Sequence, residues 1–270
     1  MNLSGEVSLD YGMREYTTVT VNGAEIAYLD VGDGQPVVLI AGALADFRTW
    51  ESLIGELRSS YRIVAVTVRR AFPNPPSRDP LLPSETDWSD VDDVIAVLDH
   101  LNLRQAHVVG HSLGGAIAMA IALQRPDLVA SLVLEEPPVL PYEETSHAVG
   151  AAIGRLRSGD VEGGLRDFMD VSSGPGYFDK VSRSLQQSIL QNVGTLAFGN
   201  PPPSITCEQA ESISVPVLFI EGELTPISTE IKHCFKRCEK VVVPLASHAS
   251  HTNNPLEFNR AVVKFLKNLE

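Results

Sequence analysis

Ser112 lies at the centre of a motif that suits a nucleophile. Gly110 and Gly114 flank it in the pattern G-x-S-x-G, with an apolar run ending at Gly110 and a run of small residues after the serine. The glycines suit a strained turn at which side chains would collide with neighbouring backbone. A serine at the first turn of a helix also has N–H groups nearby that can stabilise an oxyanion. The motif predicts a strand–turn–helix unit that carries an activated serine.

A serine hydroxyl needs a base to remove its proton and an acid to orient that base. In this architecture the acid follows the serine along the chain, and the histidine comes last, in a loop after the final strand. His248 and His251 both lie between an apolar run at 240–243 and a terminal helical pattern. The sequence therefore supplies histidines in the place where a catalytic base is expected.

The elements that must position these residues alternate between strands and helices. An Asn22-Gly23 pair between two strand patterns predicts a hairpin. Strands alternating with helices predict an α/β fold with a mostly parallel, twisted sheet flanked by helices. A proline-rich loop is expected over 69–83. Strands are predicted at 17–21, 24–29, 36–41, 61–68, 107–110, 130–136, 215–220 and 240–243, and helices at 46–58, 87–101, 113–125 and 255–269.

The alternation stops between residues 137 and 205. Short helical patterns at 148–156, 162–171 and 180–196 are separated by glycine and proline breaks. We interpret 137–205 as a helical cap inserted between two parts of the core, 16–136 and 206–270. Residues 1–15 are expected to form a poorly ordered leader.

The composition restricts the partners and the cellular compartment. A chain of 270 residues can bury a core large enough to be stable without disulfides or bound metal ions. Its net charge of −13 argues against nucleic acid or an anionic membrane as the main partner. No apolar run is long enough to span a bilayer. Cys207, Cys234 and Cys238 are expected to be ordinary unpaired thiols, as in a reducing compartment. With no secretory signal in residues 1–15, we expect a cytoplasmic location.

The loop around His248 carries a second motif. It reads Ala-Ser-His-Ala-Ser-His and continues into Asn-Asn-Pro-Leu-Glu-Phe. With the serine motif, this loop resembles the α/β-hydrolase superfamily and is similar to its capped esterase and lactonase group, which includes 3-oxoadipate enol-lactonase-like proteins. The resemblance covers residues 17–268. It implies that His248 is the catalytic base and that His251 is a structural neighbour.

The resemblance leaves two candidates for the acid. The usual position in the superfamily is occupied here by Thr225, which cannot orient an imidazole as a carboxylate does. Glu136 ends the strand after the serine helix, in a stretch that looks like a subgroup with its acid at that place. We favour Glu136; the alternatives are that the site has no functional acid, or that Glu223 is the acid. If the strand alternates regularly, Glu135 faces the opposite side and has a structural role.

The resemblance also implies two backbone donors for an oxyanion. One is the N–H of Leu113, directly after the serine. The other is the N–H of Ala43, because the stretch from Ala41 to Leu44 matches the superfamily's His-Gly-x-x, with Ala41 in place of the histidine. Four apolar side chains are expected to line a substrate pocket: Phe47, Phe72, Tyr142 and Phe168.

Together these residues predict a serine hydrolase that cleaves a small carboxylic ester or lactone through an acyl-enzyme. No cofactor and no metal are expected, and the expected partner is a small-molecule substrate. The departures at Ala41 and Thr225 leave open a ligand-binding or signalling protein with slow turnover. A further alternative is a biosynthetic enzyme that uses the same triad for C–C hydrolysis, acyl transfer or a lyase step.

Overall fold

A computed structural model gives the structure of residues 16–74, 90–138, 143–199, 203–226 and 230–270. The predicted leader, the proline-rich loop beyond residue 74 and Tyr142 fall outside these described residues.

Within the described residues, eight strands form one sheet in the order β1-β2-β4-β3-β5-β6-β7-β8. Strands β1 and β2 form the predicted hairpin, and β2 pairs antiparallel with β4. All other pairings are parallel, so the predicted α/β fold is confirmed. The strands are β1 (Thr17–Val21), β2 (Ala24–Val31), β3 (Pro36–Ile40), β4 (Arg62–Val66), β5 (Ala106–His111), β6 (Val129–Glu135), β7 (Val217–Gly222) and β8 (Cys238–Val243).

The central strands are buried on both faces because helices cover each side of the sheet. Every residue of β5 is buried, which explains its continuous apolar run. On one face α2 (Asp90–His100) and α3 (Leu113–Gln124) pack on the sheet, and on the other α1 (Glu51–Leu57) and α11 (Pro255–Lys267) do. The short helix α10 (Ser250–Asn253) lies just before α11. The carboxyl ends of the parallel strands therefore form one edge, where loops from several strands meet.

After β6, five helices lie between residues 143 and 197 in the described part of the chain, and we call them the cap helices. They share a small apolar cluster of their own, which also includes Leu44 from the loop after β3. The single helix predicted over 180–196 is wrong, because the chain breaks at Asn192 and forms two helices. The extent of the cap as a domain, 137–205, stays a prediction. The cap helices are α4 (Glu143–Arg157), α5 (Val161–Ser173), α6 (Tyr177–Lys180), α7 (Arg183–Gln191) and α8 (Val193–Ala197).

The expectation of unpaired cysteines is wrong for two of the three. Cys207, at the start of α9 (Cys207–Ser212), forms a disulfide with Cys234, and Cys238 is a free thiol. The two paired residues are 27 positions apart, and only the fold brings them together. The disulfide removes the cysteine argument for a reducing compartment, so the cytoplasmic location stays a prediction. Among the described helices, none has the length and apolar character needed to cross a membrane.

Candidate active site

Ser112 occupies the turn between β5 and α3, where its backbone has φ 48° and ψ −119°. A positive φ is rare for a residue with a side chain and costs about 1–3 kcal/mol, so the surrounding contacts must hold it in place. The Ser112 N–H donates to the carbonyl of Glu135 (2.9 Å), and its own carbonyl accepts from Ala116 N–H (3.1 Å) at the start of α3. The serine is thus held at the carboxyl edge of the sheet.

The glycines of the motif are required by close backbone contacts. A Cβ on Gly110 would lie 2.3 Å from the carbonyl oxygen of Gly114. A Cβ on Gly114 would lie 2.1 Å from the Ile40 carbonyl oxygen and 2.7 Å from that of Ala41. These distances are far inside van der Waals contact. The serine turn therefore packs directly on the end of β3, which leads into the loop that carries Ala43.

His248 lies in the loop after β8, with only 8% of its surface exposed. Its Nδ1 is 2.7 Å from Oε2 of Glu136, whose side chain is fully buried. Because a carboxylate accepts, Nδ1 carries the proton and Nε2 of the neutral ring is free to act as a base. The backbone of this loop is fixed from two sides, since the His248 carbonyl accepts from His111 Nε2 (3.1 Å) and Ser247 Oγ donates to the Ser173 carbonyl (2.8 Å).

Glu136 follows directly after β6, with a positive φ of 42°. Its Oε1 accepts from the Gly222 N–H (2.8 Å), and its Oε2 accepts from the Thr225 hydroxyl (2.7 Å) as well as from His248. Thr225 stands where the superfamily's acid is usual, and here it supports the carboxylate that faces the histidine. Glu223 is exposed and accepts from the Leu245 N–H (2.9 Å). Of the two candidate acids, the structure places Glu136 against His248.

Glu135 does not face away from the histidine loop, so the expected alternation is wrong at this point. The positive φ of Glu136 turns the chain out of strand geometry, and both carboxylates reach the same loop. Glu135 accepts from Ser250 Oγ (2.5 Å), the His251 N–H (3.0 Å) and His251 Nδ1 (2.7 Å). His251 Nε2 in turn forms a hydrogen bond with the Thr49 hydroxyl (2.7 Å). A second buried carboxylate–histidine pair therefore anchors the loop that carries His248.

His111 lies between the two pairs. Its ring centroid is 4.8 Å from that of His248 and 4.7 Å from that of His251. Burial lowers the pKa of His111 to about 3, so this ring is neutral. Burial alone would raise the pKa of Glu135, but the neighbouring His251 and its hydrogen bonds hold it at about 2. The site thus contains an ionised Glu135 and an uncharged His111, both in direct contact with the loop that carries His248 and His251.

Three buried side chains are of the types that can bind a metal ion: His111, Glu135 and His251. Their potential ligand atoms lie within 4.8 Å of one another, and no other such group occurs within the described residues. However, both oxygens of Glu135 and both nitrogens of His251 already take part in hydrogen bonds. Hydrogen bonding thus accounts for Glu135 and His251, whereas His111 Nδ1 has no hydrogen-bond partner among the described residues. Because two of the three groups are already occupied, we treat the cluster as a structural network.

The two predicted oxyanion donors belong to the turn at Ser112 and to the loop after β3. Leu113 is buried and begins α3, and Ala43 is half-buried in the loop after β3. The next residue, Leu44, has a positive φ of 64°, and its N–H donates to Thr195 Oγ1 of α8 (2.8 Å). Since the Leu44 N–H already has an acceptor, the geometry is compatible with Ala43 as the donor from this loop.

The predicted pocket residues lie in different environments. Phe47 is buried with Trp50 in the core cluster on one face of the sheet. Phe72 is half-buried, and the guanidinium carbon of Arg48 lies 4.2 Å from its ring centroid. Phe168 is half-buried against the apolar cluster of the cap helices. Their roles toward a substrate stay predictions.

The sequence analysis did not assign Thr225, Thr195 or Asn192 to the site. For Thr225 a signal was available, because it occupies the place of a missing carboxylate and a hydroxyl there can serve the replacement acid. For Asn192, an amide in the middle of a helical pattern was a weak signal of a break. Thr195 had no local signal, since its partner lies 151 residues away.

Known proteins resemble this chain over most of its length. The sequence profile of the alpha/beta hydrolase family matches residues 37–261. The chain is 24% identical to 3-oxoadipate enol-lactonase 1 of Acinetobacter baylyi, covering 94% of each protein. It is 27% identical to the sn-1-specific diacylglycerol lipase ABHD11 of Mus musculus, covering 85% of this chain and 80% of that protein. A thermophilic esterase from Thermogutta terrifontis has the same fold, with a TM-score of 0.78 at 20% identity, covering 94% of this chain and 99% of the esterase chain.

Proposed function

The chain belongs to the alpha/beta hydrolase family, and on that premise we propose that it is a serine hydrolase that cleaves a small carboxylic ester or lactone. The observation that carries the proposal is the buried hydrogen bond between His248 Nδ1 and Glu136 Oε2 (2.7 Å), with Ser112 held at positive φ at the carboxyl edge of the same sheet. Relatives named as a lactonase and a lipase support the choice of ester chemistry.

The reaction begins with Ser112 Oγ attacking the substrate carbonyl carbon while His248 Nε2 takes the hydroxyl proton. The C–O bond to serine forms, and the carbonyl electrons move to the oxygen, which accepts from the N–H groups of Ala43 and Leu113. Glu136 stabilises the imidazolium. Collapse of the intermediate breaks the ester bond, and the leaving oxygen takes the proton from His248. Water then attacks the acyl-enzyme by the same steps and restores Ser112.

Labelling with a fluorophosphonate probe tests the activated serine. One adduct per molecule by intact mass, mapped to the peptide that carries Ser112, is the expected result. The Ser112→Ala variant should take up no probe. Folded wild-type protein that stays unlabelled over hours would contradict the proposal.

The acid is tested by a matched pair of carboxylate-to-amide changes. Glu136→Gln should reduce kcat for p-nitrophenyl acetate by about 10⁴-fold, because an amide fails to hold the histidine in its productive tautomer. Glu223→Gln removes an exposed carboxylate and should leave kcat within about twofold, as surface changes usually do. Wild-type turnover in Glu136→Gln would remove Glu136 from the triad.

The alternatives of slow-turnover binding and of biosynthetic chemistry use the same residues. Thr225, which motivated the first alternative, hydrogen-bonds to Glu136, so its presence is compatible with a working acid. A screen of esters and lactones with product analysis distinguishes hydrolysis from transfer, C–C cleavage and lyase products.

A further inference from the structure

A buried hydrogen bond joins the cap helices to the loop that follows β3. We call residues 41–46 the oxyanion loop, because Ala43 lies within it. The Leu44 N–H donates to Thr195 Oγ1 over 2.8 Å, and Thr195 is only 3% exposed. The Thr195 hydroxyl donates its own proton to the carbonyl of Asn192 (2.7 Å). Its oxygen is therefore fixed as an acceptor that points at the oxyanion loop.

Asn192 extends this connection. Its amide nitrogen donates to Asp46 Oδ2 (2.6 Å) at the end of the oxyanion loop and to the Ser188 carbonyl (2.9 Å). Its amide oxygen accepts from the N–H of Phe72 (2.8 Å) in the loop after β4. Asn192 is completely buried, so these bonds are shielded from water. The break between α7 and α8 thus presents two polar side chains to the core.

The side chain of Leu44 strengthens the same contact. It packs into the apolar cluster of the cap helices, with Leu165 and Ile189 among its members. The backbone of Leu44 has φ 64°, a conformation that few residues with side chains adopt without external support. Backbone and side chain of Leu44 are therefore both held by the cap helices.

We propose that Thr195 is a positioning residue that sets the direction of the Ala43 N–H in the oxyanion hole. The inference rests on the proposed function. The peptide between Ala43 and Leu44 is planar, so fixing the Leu44 N–H fixes that plane. Ala43 therefore has this fixed peptide on its C-terminal side and the end of β3 on its N-terminal side. Without the Thr195 acceptor, the strained backbone at Leu44 relaxes and the Ala43 N–H turns away from the oxyanion.

The test uses Thr195→Val, which keeps the shape and removes the acceptor, with Thr195→Ser as the variant that retains it. Thr195→Val should lower kcat for p-nitrophenyl acetate about 10- to 100-fold. This decrease is no larger than the decrease in kcat that follows removal of one oxyanion donor. KM should stay within about twofold, because the interaction acts in the transition state. Thr195→Ser should keep most of the wild-type kcat.

Thr67→Val is the matched control for loss of a buried threonine hydroxyl. Thr67 is 1% exposed and donates to the Ala27 carbonyl (2.7 Å), with no contact to the oxyanion loop among its described bonds. If Thr195→Val acts only by loosening the fold, Thr67→Val should lower kcat to the same extent. An equal effect of the two variants on kcat would overturn the proposal.

Amide hydrogen exchange of Leu44, measured by NMR, reports on the hydrogen bonding of the oxyanion loop independently of enzyme activity. The Leu44 amide should be protected in the wild type and in Thr195→Ser, and should exchange at least about tenfold faster in Thr195→Val because its acceptor is gone. Unchanged Leu44 exchange in Thr195→Val would overturn the proposal. Wild-type protein that takes up no fluorophosphonate but shows the expected exchange pattern would instead contradict the proposed function alone.

Discussion

Replacing His111 by glutamine should make the protein less sensitive to acid. The ring is buried, and burial lowers its pKa from 6.5 to about 3. Its Nε2 donates to the His248 carbonyl, a bond that a glutamine amide N–H can reproduce. The variant therefore removes the titrating group and retains a donor.

The magnitude follows from linkage between proton binding and folding. Below pH 6.5 the unfolded chain protonates this histidine, whereas the folded protein does not until the pH approaches 3. The stability is therefore fully present above pH 6.5 and is lost as the pH falls toward the folded pKa. Between pH 7 and pH 4.5 the loss from this one group amounts to about 2.5 kcal/mol.

Urea unfolding at pH 7 and pH 4.5 measures the effect. The wild type should lose about 2.5 kcal/mol more than His111→Gln over this interval, whatever the absolute stability of the variant. His100→Gln, at an exposed histidine of α2, is the control and should follow the wild type. Equal losses in wild type and His111→Gln would refute the assignment of a neutral, buried ring.

Two further predictions concern stability. Burial and the charge of Asp93 raise the pKa of Asp90 from 3.8 to about 6, so ionising it costs stability as the pH rises through that window. Asp90→Asn should therefore stabilise the protein by about 3 kcal/mol at pH 8 and by about half of that at pH 5, measured by urea unfolding; an equal gain at both values would contradict this. The Cys207–Cys234 disulfide closes a loop of 27 residues, which corresponds to about 3 kcal/mol. Cys207→Ser should lose that amount in chemical denaturation, whereas Cys238→Ser should not, and equal denaturation midpoints in the two variants would argue against the disulfide.

Local patterns predicted the parts of the fold that local sequence determines. The Asn22-Gly23 turn, the apolar β3 and β5 and the glycines around Ser112 each act over a few residues, and their elements lie where the sequence placed them. The strand–helix alternation then restricts the sheet to parallel pairing. Glu136 was favoured because the usual acid position held a threonine, and in the structure it faces His248.

The sequence analysis failed where the outcome depends on residues far apart. The direction of Glu136 relative to Glu135 depends on one backbone angle, the positive φ of Glu136, which no alternation pattern records. The pairing of Cys207 with Cys234 requires the core to be assembled first, and the bond from Leu44 to Thr195 requires the cap helices to be in place on the core. Contacts between residues that are far apart in the chain produce no periodic pattern in the sequence.

The order of the site residues along the chain bears on how the protein could be diversified. Ser112 and Glu136 directly follow two neighbouring strands, and both precede the cap helices over 143–197. Exchanging the cap helices for others would leave the proposed nucleophile and the proposed acid in one uninterrupted segment, with His248 supplied by the segment that follows. A replacement segment would still need to provide a hydrogen-bond acceptor for the Leu44 N–H. This acceptor is a minimum requirement for any exchange of the cap helices in this fold.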